Sequence, residues 1–203
     1  MPGPVIADRL GRDEIEEIAF GGRGVVVGEA ARARVEAGHR ELLAALAPGG
    51  PVYGVTTGQG FLAGHELTEP EVRAHQRNLL LGRAVGSAPW LAAQEARALV
   101  AVRLARFLGG RAGVSPELCD RLAEVLDAGL APAVPRASVG CAGEVIPLSH
   151  AFQILVGVGR ALTGDGGTRP AAEALAERGV PAAPCRRGRG RRRRCRSAWR
   201  PRC

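Results

Sequence analysis

The sequence contains no lysine: all 28 of its basic residues are arginine, set against 20 acids. Aromatic residues make up only 3% of it, including a single Tyr. A core must therefore be filled by Ala, Leu and Val, which suits packed helices. No apolar run reaches the length of a membrane span, because Arg, Glu or Gly interrupts every candidate. No basic region followed by an apolar stretch appears after Met1-Pro2-Gly3-Pro4. A secretory signal is thus not visible, and the expected location is the cytoplasm. Five cysteines, an odd number, argue against a disulfide framework. Three of them, Cys185, Cys195 and Cys203, are spaced too widely for a compact zinc pattern.

What is present is enough for one domain with a real core: 203 residues, 46% hydrophobic. The net charge of +8 is unevenly placed. Ten Arg and no acid lie between Arg186 and Cys203, so the other eighteen Arg face all twenty acids and residues 1–185 are close to neutral. The chain divides accordingly into a helical body, 1–184, and a basic tail, 185–203, expected to be disordered.

Along the body, Val25-Val26-Val27 after Gly21-Gly22 reads as a short strand. Gly28-Glu29 opens a helix to about Leu46, with Ala33, Val35, Leu42, Leu43 and Leu46 as its apolar face. Thr68-Glu69-Pro70-Glu71 starts a helix to about Leu81, with a Thr cap and acids at the positive end. Further helices are expected over 88–108, from Ser115 to near Gly129, from Leu148 to about Leu162, and over 170–178. The fold class is mainly α.

Two segments do not read as helix. Val52-Tyr53-Gly54-Val55-Thr56-Thr57-Gly58-Gln59-Gly60-Phe61 places three Gly in seven residues, as in a loop whose backbone passes close to something. It lacks the Lys and Ser/Thr of a phosphate-binding loop. The second is the connection from Pro132 through Pro135 and Gly140 to Pro147. His39, His65 and His75 have no ligand spacing and read as surface residues, and no metal is expected.

The Gly-rich segment resembles the Val-Tyr-Gly-Val-Asn-Thr-Gly-Phe-Gly signature of the aromatic amino acid ammonia-lyases, the histidine and phenylalanine ammonia-lyase family. Gln76-Arg77-Asn78-Leu79-Leu80 is similar to that family's Gln-x-Asn-Leu stretch. Pro135 to His150 is similar to its Ser-Val-Gly-Ala-Ser-Gly-Asp-Leu-x-Pro-Leu-x-His stretch, and the order and spacing of the three blocks agree. The resemblance covers residues 5–184 and implies the amino-terminal portion of the fumarase/aspartase-like helical fold. It also implies a cytoplasmic homotetramer acting on a small amino acid-like substrate.

In the family an Ala-Ser-Gly tripeptide cyclises and loses water to give methylidene-imidazolone (MIO), an electrophile made from the backbone with no external cofactor. Carried over by motif, Tyr53 is the catalytic base, Cys141-Ala142-Gly143 occupies the tripeptide position, and Gly60, Asn78 and Arg83 lie on the substrate side. The sequence departs from the pattern at the tripeptide. The central residue needs a β-leaving group, and the methyl of Ala142 has none, so the usual group cannot form. A ring shifted by one residue, with the Cys141 thiol as leaving group, is one alternative; a small buried side chain is the simpler one. Arg83 stands where bacterial relatives often carry a His that senses the aromatic group, and either pairs with a carboxylate or is a solvated helix-end Arg. His150 reads as a packing residue.

The tail reads as GC-rich coding sequence in the wrong frame, with a junction expected near residues 180–186. As a genuine arm it would bind phosphates. Its lone aromatic, Trp199, gives no stacking pattern and disfavours nucleic acid. The function expected is therefore that of a lyase-family protein missing the residue that builds the electrophile. A non-catalytic binding subunit and a tail-mediated nucleic-acid binder are the alternatives.

Overall fold

The chain runs β1 (Val5–Ala7), α1 (Arg12–Ala19), β2 (Val25–Val27), α2 (Glu29–Leu46), α3 (Glu69–Arg83), α4 (Ala93–Leu108), α5 (Pro116–Asp127), α6 (Val145–Gln153), β3 (Arg160–Leu162), β4 (Thr168–Pro170) and α7 (Ala171–Glu177) in a computed structural model that describes residues 4–182. The tail expected from residue 185 lies outside the described residues. Among those residues no helix is long and apolar enough to cross a membrane.

Helix α4 is the centre of the core. Ala96, Val100, Ala101, Leu104 and Leu108 recur at helical spacing and are all buried. They meet α1 on one side and α5 on the other, where Cys119, Leu122, Val125 and Leu126 are buried in turn. The β1–β2 pair is parallel, with Val5 opposite Val25 and Ala7 opposite Val27. Its inward residues Val5, Ala7 and Val25 close the core against α5, while Ile6 and Val26 point outward.

One charged side chain enters this core. Arg97 is 5% exposed, and its guanidinium donates from Nε and Nη2 to the carbonyl of Ile18 at 3.2 and 2.6 Å and from Nη1 to the carbonyl of Leu126 at 2.9 Å. Both carbonyls lie in last helical turns, of α1 and α5, where the helix dipole is negative, and that of Leu126 also accepts from Gly129 N–H at 3.0 Å. A single Arg therefore caps two helices from a third.

Four sequence expectations need correction. Helix α4 begins at Ala93, not Ala88, because residues 89–91 run extended against 134–136: Leu91 N–H donates to the Val134 carbonyl at 2.8 Å and Arg136 N–H to the Pro89 carbonyl at 2.9 Å. The helix expected to run to Leu162 starts earlier, at Val145, with Pro147 in its first turn where no N–H is needed, and stops at Gln153. Gly157 and Gly159 take φ of 69° and 77°, and Arg160–Leu162 becomes a strand antiparallel to Thr168–Pro170. Helix α2 buries Ala31 and Val35, whereas Ala33, Leu42 and Leu43 of its expected apolar face are exposed. His39, expected on the surface, is half-buried with Nδ1 2.8 Å from the Gly113 carbonyl.

Gly38 explains why a glycine sits mid-helix in α2. A Cβ there would lie 1.8 Å from the carbonyl oxygen of Gly110, so α2 touches the turn after α4 backbone to backbone. Ala at an unconstrained helical site stabilises by about 1 kcal/mol over Gly. Gly38→Ala is expected to reverse that sign and cost about 2 kcal/mol through overpacking, read from the urea midpoint. Arg97→Met is expected to cost about 3 kcal/mol, because the Ile18 and Leu126 carbonyls lose a buried donor; a midpoint within error of the parent would remove Arg97 from the core account.

Candidate active site

The Gly-rich segment folds on itself. Thr56 Oγ1 donates to the Gly50 carbonyl at 2.8 Å and accepts from Val52 N–H at 2.7 Å. Thr57 bridges Glu66, and Gly58 N–H donates to the His65 carbonyl at 3.1 Å. Gly58 is required there, since a Cβ would fall 2.6 Å from Leu62 Cβ and O. Two of the expected site residues meet in this loop. The hydroxyl of Tyr53 accepts from Gly60 N–H at 3.3 Å, and Gly60 takes φ of 59°. Tyr53 is nevertheless 64% exposed and Phe61 beside Gly60 is fully so.

Asn78 and Arg83 both belong to α3 and both are exposed. Five residues apart, they point about 140° from one another, so a single ligand does not meet both from one side of the helix. The start of α3 is fixed as the sequence predicts: Thr68 N–H and Oγ1 each approach Glu71 Oε2 at 2.7 Å. These bonds hold the Glu71 carboxyl below its usual range, the side-chain bond contributing most. Arg83 is the last residue of α3, the position at which a cation is favoured by the helix dipole.

Cys141 and Gly143 lie in a tight turn running directly into α6. Glu144 N–H closes on the Cys141 carbonyl at 3.0 Å, and Gly143 takes φ 66°, ψ 9°, a left-handed conformation that Gly adopts without strain. Gly140 is also left-handed, with φ 88°. Glu144 has φ 53°, the single positive φ of a non-Gly residue among the described residues, and its Oε1 accepts from Gly140 N–H at 3.2 Å. Cys141 is half-buried and Gly143 exposed.

Helix α6 brings this turn to α3. His150 Nε2 lies 3.2 Å from the Val85 carbonyl and so carries the proton there, and the ring packs tilted on Trp90 with centroids 6.2 Å apart. Burial pushes the His150 pKa down, partly offset by that hydrogen bond. Gln153, which the sequence did not flag, donates from Nε2 to the Leu80 carbonyl at 3.0 Å. The second and third sequence blocks are thus packed together, while the first is organised mainly by its own hydrogen bonds. Cys119, the other described cysteine, is in the core, where burial first and Asp120 second push its thiol up to about 11. No group of three or more His, Cys, Asp or Glu among the described residues is placed to hold a metal.

The sequence model of the aromatic amino acid lyases matches residues 10–187, nearly the whole body. The chain belongs to that family. Among its curated relatives, a tyrosine ammonia-lyase of Cupriavidus metallidurans is 36% identical over 180 residues, covering 88% of this chain and 34% of that protein. A histidine ammonia-lyase of Streptomyces coelicolor is 39% identical over 169 residues, covering 82% of this chain and 33% of that one. A tyrosine aminomutase of Streptomyces globisporus superposes with a TM-score of 0.79 at 32% identity, over 88% of this chain and 34% of that one. The chain therefore spans about a third of the length of the lyases it matches, and the helical architecture of this family is the one described above.

His150 generates a pH prediction. Its folded pKa lies below its unfolded value of about 6.5, so the unfolded chain binds the proton first as pH falls. The stability that the neutral ring contributes is complete above that value and declines as pH drops below it. His150→Gln is therefore expected to flatten the loss of thermal stability between about pH 7.5 and 5.5; parallel melting-temperature curves for parent and variant would contradict this.

Proposed function

We propose that this chain is the substrate-side, amino-terminal part of an aromatic amino acid ammonia-lyase and that it does not build that family's electrophile. The observation that carries the proposal is the turn at Cys141-Ala142-Gly143. One relative, a tyrosine 2,3-aminomutase of Streptomyces globisporus, is named as MIO-dependent, and the family motif places that group at this turn. Gly143, left-handed and without a side chain, suits the third position of such a tripeptide. Ala142 does not suit the second. Forming an exocyclic methylene requires a group that departs from Cβ, and a methyl carries only hydrogen. The residues present therefore do not fit MIO, and no elimination step is derived through it.

What remains is a surface suited to an amino acid-like ligand. Arg83, at the end of α3, offers a guanidinium to a carboxylate, while Asn78 faces away from it on the same helix and is not part of that contact. Tyr53 and Gly60 form a joined polar edge in the Gly-rich loop. A homotetramer and a cytoplasmic location belong to the same reading, supported by the kinship with histidine and tyrosine ammonia-lyases. So does the division of the chain at residue 184 into a lyase-like body and an Arg-rich tail, supported by the abrupt change of composition. The reading is that of a lyase-family member working by binding, and its kinship with carbon–nitrogen lyases supports an amino acid-like ligand.

The purified chain is expected to release no ammonia and no unsaturated acid from histidine, phenylalanine or tyrosine. Its intact mass should equal that of the sequence, with no ultraviolet band beyond those of Tyr and Trp. Turnover, or a mass deficit with a new chromophore assigned to residues 140–143, would overturn the proposal and revive the Cys141 ring.

A further inference from the structure

We propose that Gln153, with His150 one turn before it, is a positioning residue that couples the end of α3, through α6, to the turn at 140–144. This rests on the reading of that turn and of α3 as two sides of one ligand site. Helix α6 starts at the residue after Glu144, so the turn and α6 share one continuous backbone. From Val145 to Gln153 the helix rises about 12 Å. At its far end two side chains, three residues apart and hence on the same face, reach the backbone where α3 ends. Gln153 Nε2 donates to the Leu80 carbonyl at 3.0 Å, and His150 Nε2 donates to the Val85 carbonyl at 3.2 Å.

Leu80 lies in the last turn of α3, where carbonyls lack helical N–H donors, and Val85 lies just past it. The C-cap residue Ala84 leaves the helix at φ −80°, ψ 65°, neither helical nor left-handed. The usual glycine cap is therefore absent, and α6 supplies part of the termination from outside. Gln153 is held in turn. It is buried, and a Cβ at Gly159 would lie 2.6 Å from its Oε1, so the strand-side backbone closes over the amide from behind. Its rotamer is fixed by packing, and the donor is oriented before any ligand arrives. Downstream of Val85 the chain is pinned again, by the 89–91 pairing with 134–136. A shift at Gln153 or His150 thus reaches Asn78 and Arg83 through α3 and the 140–144 turn through α6.

The test compares the whole chain with Gln153→Met, which keeps length and volume but removes the donor, and with Arg12→Gln on exposed α1 as a control. Hydrogen exchange of amides 80–86 is expected to rise by about tenfold or more in Gln153→Met, with relative exchange in α4 and α5 unchanged. The amide resonances of Gly140 and Gly143, at the other end of α6, should move in Gln153→Met and not in the control. Unchanged exchange and unchanged glycine resonances would overturn the proposal. Exchange rising uniformly across α3, α4 and α5 would also overturn it, since Gln153 would then be an ordinary stability residue. Titration of the parent with L-histidine and L-phenylalanine separates the two readings: no shift at 78–83 removes the ligand site, while exchange alone decides the positioning role.

Discussion

The guanidinium of Arg97 is the constraint on which the rest of this structure depends. It is a charge placed inside a core of aliphatic side chains, and no carboxylate among the described residues is paired with it. Its partners are the Ile18 and Leu126 carbonyls, at the negative ends of α1 and α5. Burial lowers its pKa, yet an Arg stays charged through any physiological range, so the fold must hold the carbonyls in place. A Lys at the same site would offer a point charge and no planar fork able to satisfy two backbones at once. Fixing α1, α4 and α5 around one group sets the plane from which the remaining elements extend.

The candidate site lies outward of that plane. Its links to the core are the 89–91 and 134–136 pairing and the short helix α6, both of which lead from well-buried residues to an exposed rim. Val52, Tyr53, Phe61, Leu62, Val85 and Val139 are all exposed. Among the described residues these apolar side chains are left uncovered. The geometry of each half of the site is therefore set from below, by backbone pairing and by α6. It is not set by enclosure.

Much of this was legible in the sequence, and the parts that were not have identifiable causes. Helices α3 and α5 announced themselves through Thr68-Glu69-Pro70 and Ser115-Pro116, because caps are local chemistry. The family was legible because three motifs occur in order. Helix α1 was missed although Asp13-Glu14 and the Ile15–Ile18 spacing are present, since eight residues of mostly charged helix give little periodic signal. The strand at 160–162 was misread because its identity is decided by pairing with residues 131–133 and 168–170, which no local pattern contains. Arg97 had a signal that could have been used: it falls on the same face as Val100, Ala101, Leu104 and Leu108, a spacing that puts a charge on the buried side. Gln153 had none, because a glutamine on a helix is ordinary until its acceptor is known.

The turn at 140–144 shows how scaffold and chemistry separate. Its conformation is specified by Gly140 and Gly143 in left-handed geometry and by the Glu144 contacts to Gly140 and Cys141. Those determinants are the backbone conformation and the contacts of Gly140, Cys141, Gly143 and Glu144. The reactivity expected of the family depends wholly on that side chain, because only a departing β-substituent leaves an electrophilic carbon behind. On the reading proposed above, Ala142 lacks the departing group that this chemistry requires. Family membership, which reads the scaffold, and activity, which reads one atom, are independent conclusions for this protein.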